Sequence, residues 1–193
     1  MERRFIETEI RAAGEDEECI VEGYPIVYDQ ETELYGFKER IAPGAATEAL
    51  KRSDEFVLFN HDSNMPLARR ANGTLEVKED KKGVFIRADL SKSSAGPKVY
   101  QDIKNGLINK MSFAFTCEKD SWEDNTRTVE SFGELFDYSP VTYPAYKQTE
   151  IVARSADEAT RNRPDPSTEE EGTSTEAEEE RKPEVYVDPV AVK

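Results

Sequence analysis

Four apolar residues run directly into three polar ones in the stretch Phe56-Val57-Leu58-Phe59-Asn60-His61-Asp62. This order is typical of a buried strand that delivers polar side chains to a surface cleft at its end. His61 is the only histidine of the chain, and imidazole is the side chain best suited to accept a proton near neutral pH. The alternative is that a lone histidine makes one structural hydrogen bond, so the rest of the chain has to decide between the two.

Composition limits the classes of protein that the chain can belong to. Its 193 residues suffice for one domain with a sizeable core. The 41 acidic and 26 basic residues give a formal net charge of −15, which argues against binding to nucleic acid. No apolar run approaches the roughly 20 residues of a membrane helix, and the N-terminus lacks the apolar core of a secretory signal.

Metal sites and disulfides are not indicated either. Cys19 and Cys117 are too few for a disulfide framework and lack the spacing of a zinc site. Asp62 beside His61 suggests a metal pair, but one histidine with scattered carboxylates is weak evidence. We therefore predict a reducing, cytoplasmic setting and no metal or cofactor.

The segments on both sides of the histidine stretch predict a β-rich domain of the α+β class, a barrel with helices outside it. Alternating or β-branched runs indicate strands at 20–28, 35–41, 74–78, 84–90 and 111–117. Gly23 and Pro25 suggest a bulge or an edge in the first of these. The charged run 118–128 is interpreted as a hairpin or loop.

Two helices are predicted between the strands. Residues 45–52 are good helix formers. Val99, Ile103 and Leu107 have helical spacing, and Gly106 is the expected stop. The domain is predicted to span 1–154, and the tail 155–193, with 12 acidic and 5 basic residues, is predicted to be mostly disordered.

A histidine base needs a nucleophile, and the strand 111–117 offers two. Alternation places Ser112 and Ala114 on a small-residue face, where a hydroxyl can meet a substrate. Cys117 is the rival, although it falls with Phe113 and Phe115 on the face expected to form the core. The alternative for Ser112 is an ordinary strand serine.

Asp137 interrupts the last apolar run, 135–146, where an unpaired carboxylate is costly. A cationic or hydrogen-bonding partner is therefore expected, and a histidine N–H is a suitable one. Alternation predicts that Asp137 shares a face with Leu135 and Ser139. Glu134 lies at the preceding turn, where a carboxylate is simply solvated.

Four ordered blocks of the chain resemble bacteriophage prohead proteases. An upstream block is followed by a histidine segment, a nucleophile segment and a closing motif, and the resemblance is collinear over residues 3–154. The blocks read Arg40-Ile41-Ala42-Pro43-Gly44-Ala45, then Asn60-His61-Asp62 with Pro66-Leu67-Ala68-Arg69 and Asn72-Gly73-Thr74-Leu75, then Ile103-Lys104-Asn105-Gly106 with Met111-Ser112-Phe113-Ala114-Phe115, then Leu135-Phe136-Asp137-Tyr138-Ser139-Pro140-Val141-Thr142-Tyr143-Pro144-Ala145-Tyr146.

This resemblance implies a serine endopeptidase related to the herpesvirus assemblins, with a β-barrel ringed by helices. It implies Ser112 as nucleophile, His61 as general base and Asp137 as the third member that orients the imidazole. The implied role is capsid maturation inside the procapsid, in the cytoplasm of a bacterial host. The implied partners are the major capsid protein with its scaffold segment and the chain itself as a substrate, with the portal and a second copy of the chain as further candidates.

Two questions stay open at this stage. Oxyanion stabilisation is expected from backbone N–H groups, with Arg69 or Arg70 as candidate helpers, although ordinary surface charges are the favoured interpretation of both arginines. The competing class is a non-enzymatic scaffolding protein, or a fusion of protease and scaffold, whose acidic tail binds the major capsid protein. The tail is alternatively a flexible arm, a segment removed by self-cleavage or a solvated linker.

Overall fold

The computed structural model describes residues 1–14, 18–34 and 36–143, and of residues 5–8 the backbone alone. Residue 35, the end of the closing motif and the predicted tail 155–193 lie outside the described residues. The described elements, in chain order, are β1 Glu2–Ala13, β2 Ile20–Val27, β3 Thr32–Glu33, β4 Lys38–Ile41, β5 Phe56–Leu58, β6 Pro66–Arg69, β7 Leu75–Glu79, β8 Gly83–Asp89, α1 Gly96–Lys104, β9 Lys110–Glu123 and β10 Thr126–Val141.

All strands of the described part join one mixed sheet. Its main path runs β3-β4-β10-β9-β1-β2-β8-β7, and β5 pairs with β10 and with β6 beside this path. The long strand β10 is antiparallel to β9 and parallel to both β4 and β5, which it meets at different points of its length. The neighbours β5, β10, β9 and β1 therefore lie side by side, and each of them contributes to the site described below.

The β-rich prediction is confirmed, but the predicted barrel is wrong. Within the described residues, β3 and β7 are the two ends of the main path and do not pair with each other, so the sheet is open.

The prediction of helices around a barrel is also corrected, because α1 is the one α-helix of the described ranges. Residues 45–52 form turns and a short 3-10 segment, Ala49–Lys51, instead of the predicted helix. The buried side chains there are Ala45, Ala46 and Ala49. Since helices in proteins are stabilised mainly by packing of an apolar face, three methyl groups give a longer helix little support.

Several local predictions are confirmed. The register of β2 against β8 shifts between Gly23 and Ile26, which is the predicted bulge. The charged run 118–128 forms the turn end of the β9–β10 hairpin. Helix α1 buries Val99 and Ile103, and Gly106 with φ +74 ends it. Leu107 does not continue the buried face: it lies beyond the helix and is 70% exposed.

The core on one side of the β9–β10 hairpin is aromatic. The rings of Phe113 and Phe115 stack with centroids 5.3 Å apart, and Phe132 meets Phe115 edge-on at 4.8 Å. All residues of β9 from Met111 to Phe115 are buried. The opposite face of this strand, which carries Ser112 and Ala114, is therefore also covered, and it is the face that holds the polar site.

Candidate active site

His61 lies where the chain leaves β5. The strand ends at Leu58, and a tight turn, Phe59–His61, directs the imidazole back over the sheet. Only 8% of the residue is exposed. The short strand that ends at polar residues agrees with the prediction from the heptapeptide. His61 itself is buried and does not lie in a surface cleft as expected.

Ser112 lies on the central strand β9 and has no exposed surface. Its Oγ is 2.5 Å from His61 Nε2 and 2.9 Å from the main-chain carbonyl oxygen of Arg4 on β1. A serine hydroxyl carries one proton. Two acceptors therefore compete for that proton, and one of them is a ring nitrogen.

Asp137 completes a continuous chain of hydrogen bonds. Its Oδ1 is 2.6 Å from His61 Nδ1 and accepts a further hydrogen bond from the Ser139 hydroxyl at 2.5 Å. An ionised carboxylate only accepts hydrogen bonds, so the proton of the neutral imidazole belongs on Nδ1. The lone pair of Nε2 then faces the Ser112 hydroxyl.

A β-bulge brings the carboxylate to this face. Leu135 is opposite Phe115 on β9, whereas Asp137 is opposite Ala114, so the register slips at Phe136. Residues directly opposite each other share a face of the sheet. Leu135 therefore faces the aromatic core and Asp137 faces the site with Ser139, and the predicted common face of Leu135 and Asp137 is wrong.

The two candidate oxyanion arginines are held by other groups. Arg69 Nη2 is 2.5 Å from Asp54 Oδ2, and its guanidinium lies over the Phe56 ring. Arg70 Nη1 donates to the Leu50 carbonyl oxygen at 2.7 Å and pairs with Glu55 at 3.0 Å. These contacts are of the ordinary structural kind, and an oxyanion role for Arg69 or Arg70 stays a prediction.

Burial weakens the case for Cys117, the rival nucleophile. It raises the pKa of the Cys117 thiol to about 11, so the reactive thiolate is scarce near neutral pH. Asp62 Oδ1 accepts a hydrogen bond from the main-chain N–H of Asn64 at 2.8 Å. Over residues 1–14, 18–34 and 36–143 there is no cluster of three histidine, cysteine or acidic side chains suited to a metal, and no helix with the length and apolarity to cross a bilayer.

Three groups at the site make contacts that were not expected from the sequence. Ser139 was correctly predicted to share the face of Asp137, but its hydrogen bond to that carboxylate was not predicted. The contact of the Arg4 carbonyl had no signal in the sequence, since the pairing of β1 with β9 joins distant parts of the chain. The third is Asn60, whose side-chain amide reaches the end of β10.

Hydrogen-bonded serine, imidazole and carboxylate groups in this order are the working parts of serine hydrolases. The family model described as "Caudovirus prohead serine protease" matches residues 6–162. The chain therefore belongs to the caudovirus prohead serine protease family.

Two curated relatives agree with this family. The chain is 30% identical over 155 residues to the prohead protease of Enterobacteria phage HK97, a match that covers 77% of this chain and 66% of the relative. It is 27% identical over 89 residues to the prohead protease of Escherichia phage T5, covering 46% and 40%. The matches thus span less than two thirds of either relative. No solved structure gave a significant match, and the relation to herpesvirus assemblins stays an expectation from the sequence.

Proposed function

We propose that this chain is a serine endopeptidase in which Ser112 is the nucleophile, His61 the general base and Asp137 the group that orients the imidazole. The observation that carries the proposal is the unbroken hydrogen-bond chain from Asp137 through His61 to Ser112, in a chain that belongs to a family of serine proteases.

In the proposed mechanism the Ser112 hydroxyl attacks the carbonyl carbon of the scissile peptide bond. A new Oγ–C bond forms while the proton moves to His61 Nε2, and Asp137 stabilises the resulting imidazolium through Nδ1–H. Collapse of the tetrahedral intermediate breaks the C–N bond, and His61 returns the proton to the leaving amine. Water then repeats the sequence on the acyl-enzyme, and Ser112 is regenerated.

The contacts of Ser112 imply two changes that have to accompany substrate binding. The side chain is inaccessible in this structure, so a substrate carbonyl reaches Oγ only after its surroundings open. The hydroxyl proton must point to His61 and not to the Arg4 carbonyl when attack begins. Backbone N–H groups are the proposed source of oxyanion stabilisation, as on other sites of this type.

We further propose that the enzyme acts in capsid maturation. The relatives from phages HK97 and T5 are named prohead proteases, and the substrate class that this suggests is the scaffold segment of a major capsid protein. The chain itself is the second proposed substrate. The proposed place of action is the interior of the procapsid in a bacterial host, and portal protein or a second copy of the chain as binding partners remain predictions.

The test is mass spectrometry of the full chain, expressed alone and together with the major capsid protein of its phage. We expect the wild-type chain and its partner to lose mass through cleavage. The Ser112→Ala variant should leave both intact and stay folded, with a thermal midpoint lowered by only a few degrees, because loss of one hydrogen bond costs about 1 kcal/mol. Cys117→Ala is the matched control on the same strand, and it should cleave like the wild type.

The outcomes separate the proposal from its rival. Undiminished cleavage by folded Ser112→Ala contradicts the nucleophile assignment, and loss of cleavage in Cys117→Ala transfers the role to the thiol. A wild-type chain that binds the capsid protein but cleaves nothing identifies the non-enzymatic scaffolding protein instead.

A further inference from the structure

The backbone is left-handed at two successive residues, His61 and the residue before it, Asn60. Asn60 has φ 53° and ψ 32°, and His61 has φ 58°. Residues with a Cβ atom adopt this region at a cost, and asparagine is among the few that visit it readily. A pair of such residues persists only where the surrounding structure holds it, and such positions cluster at functional sites.

The Asn60 side chain supplies such a hold. The main-chain N–H of Thr142 donates to Asn60 Oδ1 at 2.9 Å, and Asn60 Nδ2 donates to Thr142 Oγ1 at 3.2 Å. A main-chain N–H can only donate, so the orientation of the amide group is fixed by its partner. Thr142 directly follows β10, the strand that carries Asp137.

Three main-chain hydrogen bonds close this loop on itself. Phe59 N–H donates to the Met65 carbonyl at 3.1 Å, Asp62 N–H donates to the Phe59 carbonyl at 3.0 Å, and Met65 N–H donates to the Asp62 carbonyl at 2.9 Å. These bonds shape the loop but do not attach it to β10. The Asn60–Thr142 pair attaches the loop to the end of β10, in addition to the His61–Asp137 contact.

We propose that Asn60 is a positioning residue of the active site, and that its amide clasp on Thr142 fixes the His61 loop to β10 so that the imidazole lies between Asp137 and Ser112. The inference rests on the proposed function for its effect on rate, although the clasp itself can be read without any cleavage. Asn60 acts through His61 and touches no reacting atom.

Loss of the clasp should affect kcat and KM differently. Loss of alignment affects the proton transfer and not the binding of the peptide, so kcat should fall while KM stays within about twofold. Misplacement of a catalytic group by about 1 Å can cost about a hundredfold. We expect Asn60→Gly and Asn60→Ala to lower kcat by about 10- to 100-fold.

The variants separate backbone from side chain. Asn60→Gly keeps the left-handed backbone free of strain and removes only the clasp, so it remains informative even if Asn60→Ala does not fold. Thr142→Val removes only the weaker Oγ1 contact and should lower kcat by less than about threefold. The matched control is Asn64→Ala, because Asn64 lies in the same loop and its amide bonds to Asp62 within the loop; it should behave as the wild type.

The decisive readout is the His61 Nδ1–H resonance in the NMR spectrum. As the only histidine, His61 needs no assignment, and its side chain is buried enough to protect that proton from exchange. Prepared in a Ser112→Ala background to prevent self-cleavage, the protein should show a downfield Nδ1–H signal that Asn60→Gly loses and Asn64→Ala keeps, at matched thermal midpoints.

Persistence of this signal in folded Asn60→Gly overturns the proposal, whether or not the chain is a protease. Loss of the signal together with unchanged kcat overturns the positioning role as well. If the wild-type chain cleaves nothing, the proposed function fails separately, and the NMR comparison still decides whether Asn60 holds His61 against Asp137.

Discussion

Two buried polar groupings share the strands β1, β9 and β10, and they are built in opposite ways. One is the candidate active site. The other, here the ion cluster, is a set of charged side chains further along the same strands and on β4. It consists of Glu2, Arg4, Glu39, Asp120 and Arg127.

The ion cluster pairs two guanidinium groups with three carboxylates. Arg127 bonds to Glu2 at 2.6 Å, to Glu39 at 2.9 Å and to Asp120 at 2.5 Å. Arg4 pairs with the same two glutamates. Guanidinium groups stay protonated at any ordinary pH and carboxylates near neutral pH stay ionised. Near neutral pH the groups of the cluster keep their charges, and its ion pairs join the strands β1, β4, β9 and β10.

The active-site chain contains one proton with two acceptors and one base that can change its charge. In the ion cluster every charged group keeps its charge near neutral pH. In the candidate site a proton can move from the Ser112 hydroxyl to the imidazole, which is the property that a reactive group needs. The two are connected through Arg4, whose side chain lies in the ion cluster while its carbonyl accepts from Ser112. The ion cluster therefore helps to hold the part of β1 whose carbonyl bonds to Ser112, the proposed nucleophile.

The largest effect is expected at Asp137, the carboxylate of the candidate site. If it proves dispensable, the contrast between the site and the ion cluster is wrong. Asp137→Asn keeps the shape but favours the wrong imidazole tautomer, so kcat/KM should fall by about 10⁴, as when the carboxylate of other triads is replaced. Residual activity should still exceed that of Ser112→Ala. The measurement is cleavage of a capsid-derived peptide, with Glu134→Gln as the exposed control, which should be near wild type. A crippled Glu134→Gln beside an active Asp137→Asn contradicts the assignment.

The next largest effect is expected on stability and not on chemistry. Arg127→Met leaves buried glutamates with one cation fewer, and breaking a buried ion pair typically costs about 3–5 kcal/mol. Urea unfolding in a Ser112→Ala background measures this loss. Arg11→Met removes an exposed arginine that pairs with Glu22, and should change the free energy of unfolding by less than about 1 kcal/mol. Equal effects of the two substitutions would show that the buried ion cluster stabilises the fold no more than an exposed ion pair does.

Ser139 tests how much a supporting hydrogen bond inside the candidate site contributes to the rate. Ser139→Ala removes one hydrogen bond to Asp137 Oδ1 but leaves the His61 contact. We expect kcat to fall by about tenfold, which corresponds to roughly 1.4 kcal/mol of transition-state stabilisation. Steady-state kinetics with Ser131→Ala, another serine of β10, as control measures the effect. Unchanged kcat would show that His61 alone aligns the carboxylate.

The smallest expected effect is a loss of folding free energy at acidic pH that arises in the ion cluster. Burial alone would raise the pKa of Glu2, but hydrogen bonds and charges from Arg127 and Arg4 hold it below its ordinary value. A lowered pKa in the folded state contributes stability that is present above the unfolded pKa of roughly 4.3 and is lost as the pH falls through the folded value.

Unfolding free energies of Ser112→Ala should therefore decline as the pH falls below about 4.3, and this decline should be shallower when Arg127→Met is added. Urea titrations between neutral and acidic pH measure the two slopes. Parallel declines in both proteins would show that other carboxylates govern acid unfolding.

Residue chemistry predicted more of the site than of the fold. The chain offers one imidazole, one carboxylate inside its last apolar run and a serine on a small-residue strand face, and these three side chains lie together in the structure. Hairpins and strands with clear alternation were also predicted. The helix over 45–52 was predicted from propensity and is absent, because propensity without a large apolar face does not maintain a helix.

The sequence by itself therefore determined the β-rich class, the family and the chemical types available at the site, since these depend on local pattern and residue identity. Tertiary structure alone decided that the sheet stays open, that β1 presents the Arg4 carbonyl to Ser112 and that a bulge at Phe136 turns Asp137 toward His61. The physical reason is register. A slip of one residue moves a side chain to the other face of the sheet, and which residues face each other depends on pairing between distant strands, which no single strand's pattern contains.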